Sequence, residues 1–291
     1  MFLPKKVLEE KLRRFLEEDL GQGDVTTAIT IPEGTIVEAE VIAKEPGTVA
    51  GLEEALVLLE SFGLKAEAKV SDGVGVKPHS VLLRVAGDAR TLLSLERVLL
   101  NFLSRMSGIA TTTRRMVKRV READCTTRIA CTRKVAPGLA YFDKKAVVAG
   151  GGDVHRLHLD DMVLIKDNHI TIVGDSGDAV RKAREQVSFS KKIEVEVSSL
   201  EDAVKVAEAK ADIIMLDNFT PNQIRKTLKA LERKNLRRKV IIEASGGISE
   251  KNILEFAATA VDVVSLGELT QSAKALNISL EVVKVKKRQK K

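Results

Sequence analysis

The sequence predicts an α/β protein: an N-terminal α+β domain followed by an open α/β barrel. Three observations carry this. From about Thr126 onward, apolar β runs alternate with amphipathic helical stretches, the pattern of a parallel sheet wrapped by helices. Those runs end in charged or glycine residues, as in Leu164-Ile165-Lys166-Asp167, Glu194-Val195-Glu196, Leu216-Asp217-Asn218, Glu243-Ala244-Ser245-Gly246-Gly247 and Ser265-Leu266-Gly267. Chemistry at strand carboxyl ends is how such barrels build a site. The first hundred residues lack the alternation and read as short strands around helices.

In chain order, residues 5–18 read as a helix with a stripe of Val7, Leu12, Phe15 and Leu16, and 20–27 as a glycine-bearing loop. Thr35 to Lys44 alternates as a strand, Gly51 to Phe62 is helical, and 65–70 and 81–85 are further strands. Thr91 to about Glu122 is one long helical region, expected to break near Ser107-Gly108. Strands are then expected near 127–132, 162–166, 192–197, 212–216, 239–243 and 262–266. These are separated by helices near 138–149, 177–187, 200–209, 221–233 and 250–258. Ser199 with Asp202, and Thr220 before Pro221, mark helix starts. Six strands are fewer than the eight of a closed barrel, hence the open form. Ile278 to Val285 reads as a strand returning to the first domain, giving domains of 1–113 joined by 270–291, and 114–269.

Composition narrows function. The 291 residues hold 44% hydrophobic and 31% charged residues, a globular balance. No apolar run nears the ~20 residues of a membrane span, and Met1 to Lys6 lacks a signal-peptide core, so a cytoplasmic protein without membrane attachment is expected. Cys125 and Cys131 are too few for a disulfide framework and are read as reduced packing residues sharing one strand face. The net charge of +7 includes the tail Lys284 to Lys291, read as solvated; aromatic content of 3% argues against nucleic acid as partner.

The candidate chemistry lies in three cationic groups: Thr132-Arg133-Lys134, His155-Arg156 after a triple glycine, and Lys166-Asp167-Asn168-His169. Guanidinium forks and ammonium groups at strand ends suit carboxylates and phosphates. Glu194 and Glu196 share a strand face, and Asp217 ends the next strand; Glu196 and Asp217 are candidates for holding Mg²⁺ with substrate oxygens. Ser245, Gly246, Gly247, Ser265 and Gly267 form small-residue turns that suit phosphate at helix starts. His79 and His158 read as surface residues, and the four histidines lack a zinc spacing.

Taken in order, these motifs resemble the quinolinate phosphoribosyltransferase family. The resemblance runs from Asp19-Leu20-Gly21-Gln22-Gly23-Asp24 through Glu96-Arg97, Thr132-Arg133-Lys134 with Pro137-Gly138-Leu139, His155-Arg156, Lys166 to His169, Glu194 to Glu196, Asp217-Asn218 and Glu243 to Ile248. It implies an N-terminal α/β sandwich, a seven-stranded open barrel and a homodimer or an assembly of dimers. It also implies conversion of quinolinate and phosphoribosyl pyrophosphate to nicotinate mononucleotide, pyrophosphate and CO₂ with Mg²⁺, in de novo NAD biosynthesis. It places Thr132, Arg133, Lys134, His155, Arg156 and Lys166 around quinolinate, with Arg97 from the neighbouring subunit. Lys134, Glu196 and Asp217 are the implied catalytic residues, and Ser245, Gly246, Gly247, Ser265 and Gly267 the phosphate-binding ones. Val135, Ala140, Val154 and His158 depart from the family pattern around this pocket. A related phosphoribosyltransferase acting on nicotinate or another pyridine or pyrimidine acid is the alternative.

Overall fold

The computed structural model describes residues 3–286; Lys287 to Lys291 of the basic tail, and Met1 and Phe2 of the start, lie outside the described residues. In chain order the elements are α1 (Lys5–Leu20), α2 (Val25–Thr30), β1 (Ile36–Ala43), β2 (Gly47–Thr48), α3 (Leu52–Ser61), β3 (Lys65–Ala68), β4 (Gly75–Val76), β5 (Val81–Asp88) and α4 (Ala89–Glu122). There follow β6 (Arg128–Ala130), α5 (Ala140–Ala149), β7 (Val163–Ile165), α6 (Asp167–Val173), α7 (Ser176–Gln186), β8 (Ile193–Val197), α8 (Leu200–Glu208), β9 (Ile213–Asp217) and α9 (Pro221–Arg233). The last are a short 3₁₀ turn (Arg237–Lys239), β10 (Ile241–Ser245), α10 (Ile253–Ala257), β11 (Val263–Ser265), α11 (Glu268–Gln271) and β12 (Ile278–Lys286). The chain divides into two units, one of Met1–Thr112, Val148–Gly151 and Ala273–Lys291, the other of Thr113–Val147 and Gly152–Ser272.

The first unit holds an antiparallel sheet in the order β12-β1-β5-β3 and a small β2-β4 pair. Alternate residues of β1 (Val37, Ala39, Val41, Ala43) are buried, the period-2 signature on which the strand was predicted. The final strand returns to this sheet as expected, with Val41 opposite Leu280. Three local expectations need correction. Helix α1 buries Leu8, Leu12 and Leu16, a strict i, i+4, i+8 row, and leaves Val7 outside it. Part of the predicted 20–27 loop is α2, because the Asp24 carboxylate accepts the Thr27 N–H at 2.9 Å and caps a helical turn. Helix α4 runs unbroken through Ser107-Gly108 for 34 residues. Gly108 serves close approach instead of a break: a Cβ there would lie 2.2 Å from the Lys274 carbonyl oxygen.

The second unit is a parallel sheet in the order β6-β11-β10-β9-β8-β7. That is sequential order around a ring, opened between β6 and β7. The sheet has six strands where the family resemblance implied seven; a single parallel bridge from Ala130 to Asp153 is the only pairing between them in the seventh position among the described residues. Strand β6 is shorter than expected, so Cys131 falls outside it, as Cys125 does. They do not share a strand face: Cys131 is buried and Cys125 half-buried. The two predicted helix starts hold, with Ser199 accepting the Asp202 N–H and Thr220 forming a reciprocal box with Gln223.

Candidate active site

Register determines which residues face one another across the parallel sheet. Glu196 pairs with Met215 and Met215 with Glu243; one level further along, Asp217 pairs with Ser245. Side chains alternate, so Glu194 and Glu196 on β8 point the same way, as do Met215 and Asp217 on β9, and Glu243 and Ser245 on β10. A cavity of about 580 Å³ opens over these ends. It is lined by Thr132, Arg133 and Lys134 after β6, by His155 and Arg156, by Lys166 after β7, and by Glu196, Asp217, Ser245, Gly246 and Gly247. Eleven residues predicted from scattered motifs thus meet at one mouth.

Each is held by local chemistry. The Lys134 N–H donates to the Thr132 hydroxyl at 3.0 Å, tightening the turn after β6. The Lys166 N–H donates to His169 Nδ1 at 3.0 Å, so His169 is a backbone cap that sets Lys166 at the start of α6 and is not itself a lining cation. The Lys166 ammonium reaches Glu196 at 2.7 Å. Gly246 has φ +86°, and a Cβ there would lie 2.4 Å from Asn218 Oδ1. Asn218, itself left-handed at φ +57°, donates its N–H to Ser245 O at 2.9 Å and its amide to Asp217 at 2.7 Å. The β9 and β10 ends are therefore one interlocked turn.

Electrostatics in the cavity are unbalanced in both signs. Burial, then the charge of Arg133, push the Arg156 guanidinium below its ordinary value. Two guanidinium groups forced together, one only 8% exposed, make a site that an anion relieves. Burial and the charge of Glu196 push the Asp217 carboxyl upward. Glu196 is paired with the Lys166 ammonium, whereas Asp217 on the neighbouring strand is bonded to the Asn218 amide.

Below them lies a cluster that linear spacing did not reveal. His155 Nε2 is 3.1 Å from Glu194 and 3.3 Å from Glu243, both carboxylates being buried, and Glu243 accepts the Ser265 hydroxyl at 2.5 Å. His155, Glu194 and Glu243 are close enough to offer three metal ligands. The ring's tautomer speaks against that use. The Arg156 N–H donates to His155 Nδ1 at 2.7 Å, which leaves the ring proton on Nε2, where a metal would need a lone pair. Burial opposes charging this ring, but hydrogen bonds and charge from Glu194 and Glu243 outweigh it and push its pKa up to about 10. Burial, with the Glu243 charge, pushes Glu194 upward as well, against the pull of His155. Nε2 therefore faces the two buried carboxylates, which hold a proton on the ring.

That gives a pH prediction. A folded-state pKa raised from 6.5 to about 10 contributes stability in full below pH 6.5 and loses it as pH rises to about 10. The melting temperature of the wild type should fall more steeply across that window than that of His155→Asn. Parallel curves by scanning calorimetry would refute it.

Three predicted residues lie outside the cavity lining: Arg97, Ser265 and Gly267. Ser265 is 2% exposed and bonded to Glu243, so its hydroxyl is committed below the floor. A Cβ at Gly267 would lie 3.3 Å from Lys134 Cδ, so this glycine makes room for a cavity lysine. The helix-start argument for phosphate is also weaker than the motif implied, since α10 begins at Ile253, six residues beyond Gly247. The residues that motif reading missed are Glu243 as partner of His155, Asn218 as the lock on Gly246, and Lys144.

Parallel strands and the loops beside them that bring Arg133, Lys134, Arg156 and Lys166 together with the carboxylates of Glu196, Asp217 and Glu243 define an α/β-barrel enzyme for polyanionic substrates. Comparison with known proteins narrows the class. Residues 24–107 match the N-terminal domain and residues 109–281 the C-terminal domain of quinolinate phosphoribosyl transferase. A probable nicotinate-nucleotide pyrophosphorylase (carboxylating) of Methanothermobacter thermautotrophicus is 48% identical over 93% of this chain and 97% of its own length. The human nicotinate-nucleotide pyrophosphorylase (carboxylating) is 36% identical over 97% and 94%. The solved structure of the nicotinate-nucleotide pyrophosphorylase from Francisella tularensis superposes with a TM-score of 0.89 at 34% identity, covering 97% of this chain and 98% of that one. The chain belongs to the quinolinate phosphoribosyl transferase family. Among the described residues, no helix is long and apolar enough to cross a membrane.

Proposed function

We propose that this chain transfers the phosphoribosyl group of phosphoribosyl pyrophosphate to quinolinate, yielding nicotinate mononucleotide, pyrophosphate and CO₂, the de novo route to NAD. The observation that carries the reading is the buried Arg156 beside Arg133, flanked by Lys134 and Lys166. Two adjacent carboxylates on a pyridine ring match that concentration of positive charge. The ring nitrogen attacks the ribose carbon as the bond to pyrophosphate breaks. Glu196 and Asp217 face the cation-like ribose that develops, and their charge favours it. The bond to the carboxylate next to the nitrogen then breaks, CO₂ leaves, and that carbon takes a proton.

Mg²⁺ fits the donor chemistry of Glu196 and Asp217, which would hold it partly through water, as this ion prefers. When bound it would offset the charge of the pyrophosphate. The Ser245 to Gly247 turn would take the substrate phosphates, while Lys134 would serve quinolinate. A homodimer in which Arg97 completes the neighbouring cavity belongs to the same proposal, as does a cytoplasmic location.

Incubation with quinolinate, phosphoribosyl pyrophosphate and Mg²⁺ should give nicotinate mononucleotide and CO₂ by mass spectrometry. Product from nicotinate and none from quinolinate would move the assignment to a related pyridine acid. Arg133→Ala and Arg156→Ala should each weaken quinolinate binding by about 1.5–3 kcal/mol, the worth of a charge-assisted hydrogen bond, and disturb phosphoribosyl pyrophosphate less. Unchanged quinolinate titrations in both variants would remove these residues from the pocket.

A further inference from the structure

We propose that Lys144 is a positioning residue of this site: its ammonium, sealed beneath the loop that follows β6 and α5, sets the backbone turn that presents His155 and Arg156 to the cavity. The identity of the ligand rests on the quinolinate reading above; the turn itself rests on geometry.

Lys144 lies on α5 and is 1% exposed, among the largest fully buried side chains. Its Nζ donates to the Val154 carbonyl, to the Arg156 carbonyl at 2.8 Å and to the Cys131 sulfur at 3.8 Å. An ammonium has three hydrogens, and here each has an acceptor. Two of those acceptors are the carbonyls on either side of His155, which sits in left-handed backbone at φ +50°. A non-glycine residue holds that conformation only where its surroundings over-determine it. The rest of the turn is pinned in the same way: the His155 N–H donates to Asp153 Oδ1 at 3.0 Å and the Arg156 N–H to His155 Nδ1 at 2.7 Å. Cys131 N–H donates to the Asp153 carbonyl at 2.9 Å, tying the loop to the end of β6.

Burying a lysine is unfavourable, and burial lowers the Lys144 pKa. A core needing only volume would take leucine or methionine. The acceptors are not scattered through the core either; they converge on the one turn whose two central side chains line the cavity. Cys131, its thiol pushed up by burial, stays neutral and serves as the third acceptor.

The test separates positioning from mere stability. Lys144→Met keeps an unbranched chain and removes all three donors; Lys144→Gln keeps a polar end on a shorter reach. In both, KM for quinolinate should rise about tenfold or more, while KM for phosphoribosyl pyrophosphate stays within about twofold. With ¹⁵N-histidine labelling in a titration carried above pH 10, the neutral His155 ring of the ligand-free wild type should be the Nε2–H tautomer, and the variants should lose that signature. A lowered melting temperature with both KM values unchanged, or both raised equally, would overturn the proposal. So would a neutral wild-type His155 ring carrying its proton on Nδ1, a result that needs no variant to fold. If the wild type consumes no quinolinate, the functional reading fails. The histidine spectra of wild type and variants then still decide the role of Lys144 in the turn.

Discussion

Asp217→Asn should lower kcat by a factor on the order of 10² to 10³ while leaving the protein at least as stable as the wild type. The two halves of this expectation have one origin. Asp217 is half-buried, and burial together with the charge of Glu196 pushes its carboxyl upward, so the folded protein bears a cost for keeping it ionised. The amide is nearly the same shape, can still face Asn218, and removes that cost. A residue that destabilises its own fold at a strand carboxyl end is held there for chemistry. The neutral amide cannot offset a developing cation on the ribose, nor bind Mg²⁺ as a carboxylate does. Turnover near the wild-type level at saturating Mg²⁺ would refute the role. A fall in melting temperature of several degrees would show that Asp217 is structural instead.

Arg97→Ala and Lys134→Ala should each be inactive, and mixing them should restore activity. Arg97 is exposed on α4, and no ion pair joins it to Asp88 or Glu96 among the described residues; Asp88 instead accepts the Thr91 N–H at 2.9 Å. The apolar run that follows, Val98-Leu99-Leu100, is buried within the chain and so is not a free subunit face. The dimer proposal therefore rests on Arg97 itself and on the family. In a mixed dimer one cavity would hold its own Lys134 and the other chain's Arg97. Random exchange puts half the protein in mixed dimers with one native cavity of two, hence about a quarter of wild-type activity. Absence of activity, with mixed dimers confirmed by native mass spectrometry, would place Arg97 outside the neighbour's site.

The fold was legible where burial has a period. Val37 to Ala43 and the successive parallel strands announced themselves because each strand buries one or both faces and ends in a polar residue. The cationic lining was legible because charges at strand ends are costly unless used. What spacing could not reveal was anything assembled across strands. Glu243 and His155 lie 88 positions apart and meet because the loop carrying His155 bridges to β6 through Asp153, and β6 stands two strands from β10. Lys144 sits in an ordinary helical stretch, and its partners are backbone carbonyls, which carry no residue-type signal. Gly108 read as a helix break because its reason, the Lys274 carbonyl, comes from a distant segment. Ser265 looked like part of a phosphate turn because sequence gives the strand end but not which side of the sheet floor a hydroxyl serves.

The return of β12 to β1 has a consequence for how this protein is made. β1 lies between β5, available early, and β12, the last strand described. Some 235 residues separate Ala43 from Ile278, so during synthesis one edge of β1 waits without its partner for about 12–47 s at ordinary elongation rates. Throughout that interval the growing chain presents an eight-residue strand with an open hydrogen-bonding edge. Until Lys286 arrives to pair with Glu38, the half-buried Glu38 and Glu40 put negative charge on that strand, which disfavours addition of a like-charged neighbour. Chains that stop before Ile278 would carry that open edge permanently, so early termination would produce aggregates and not a smaller soluble enzyme.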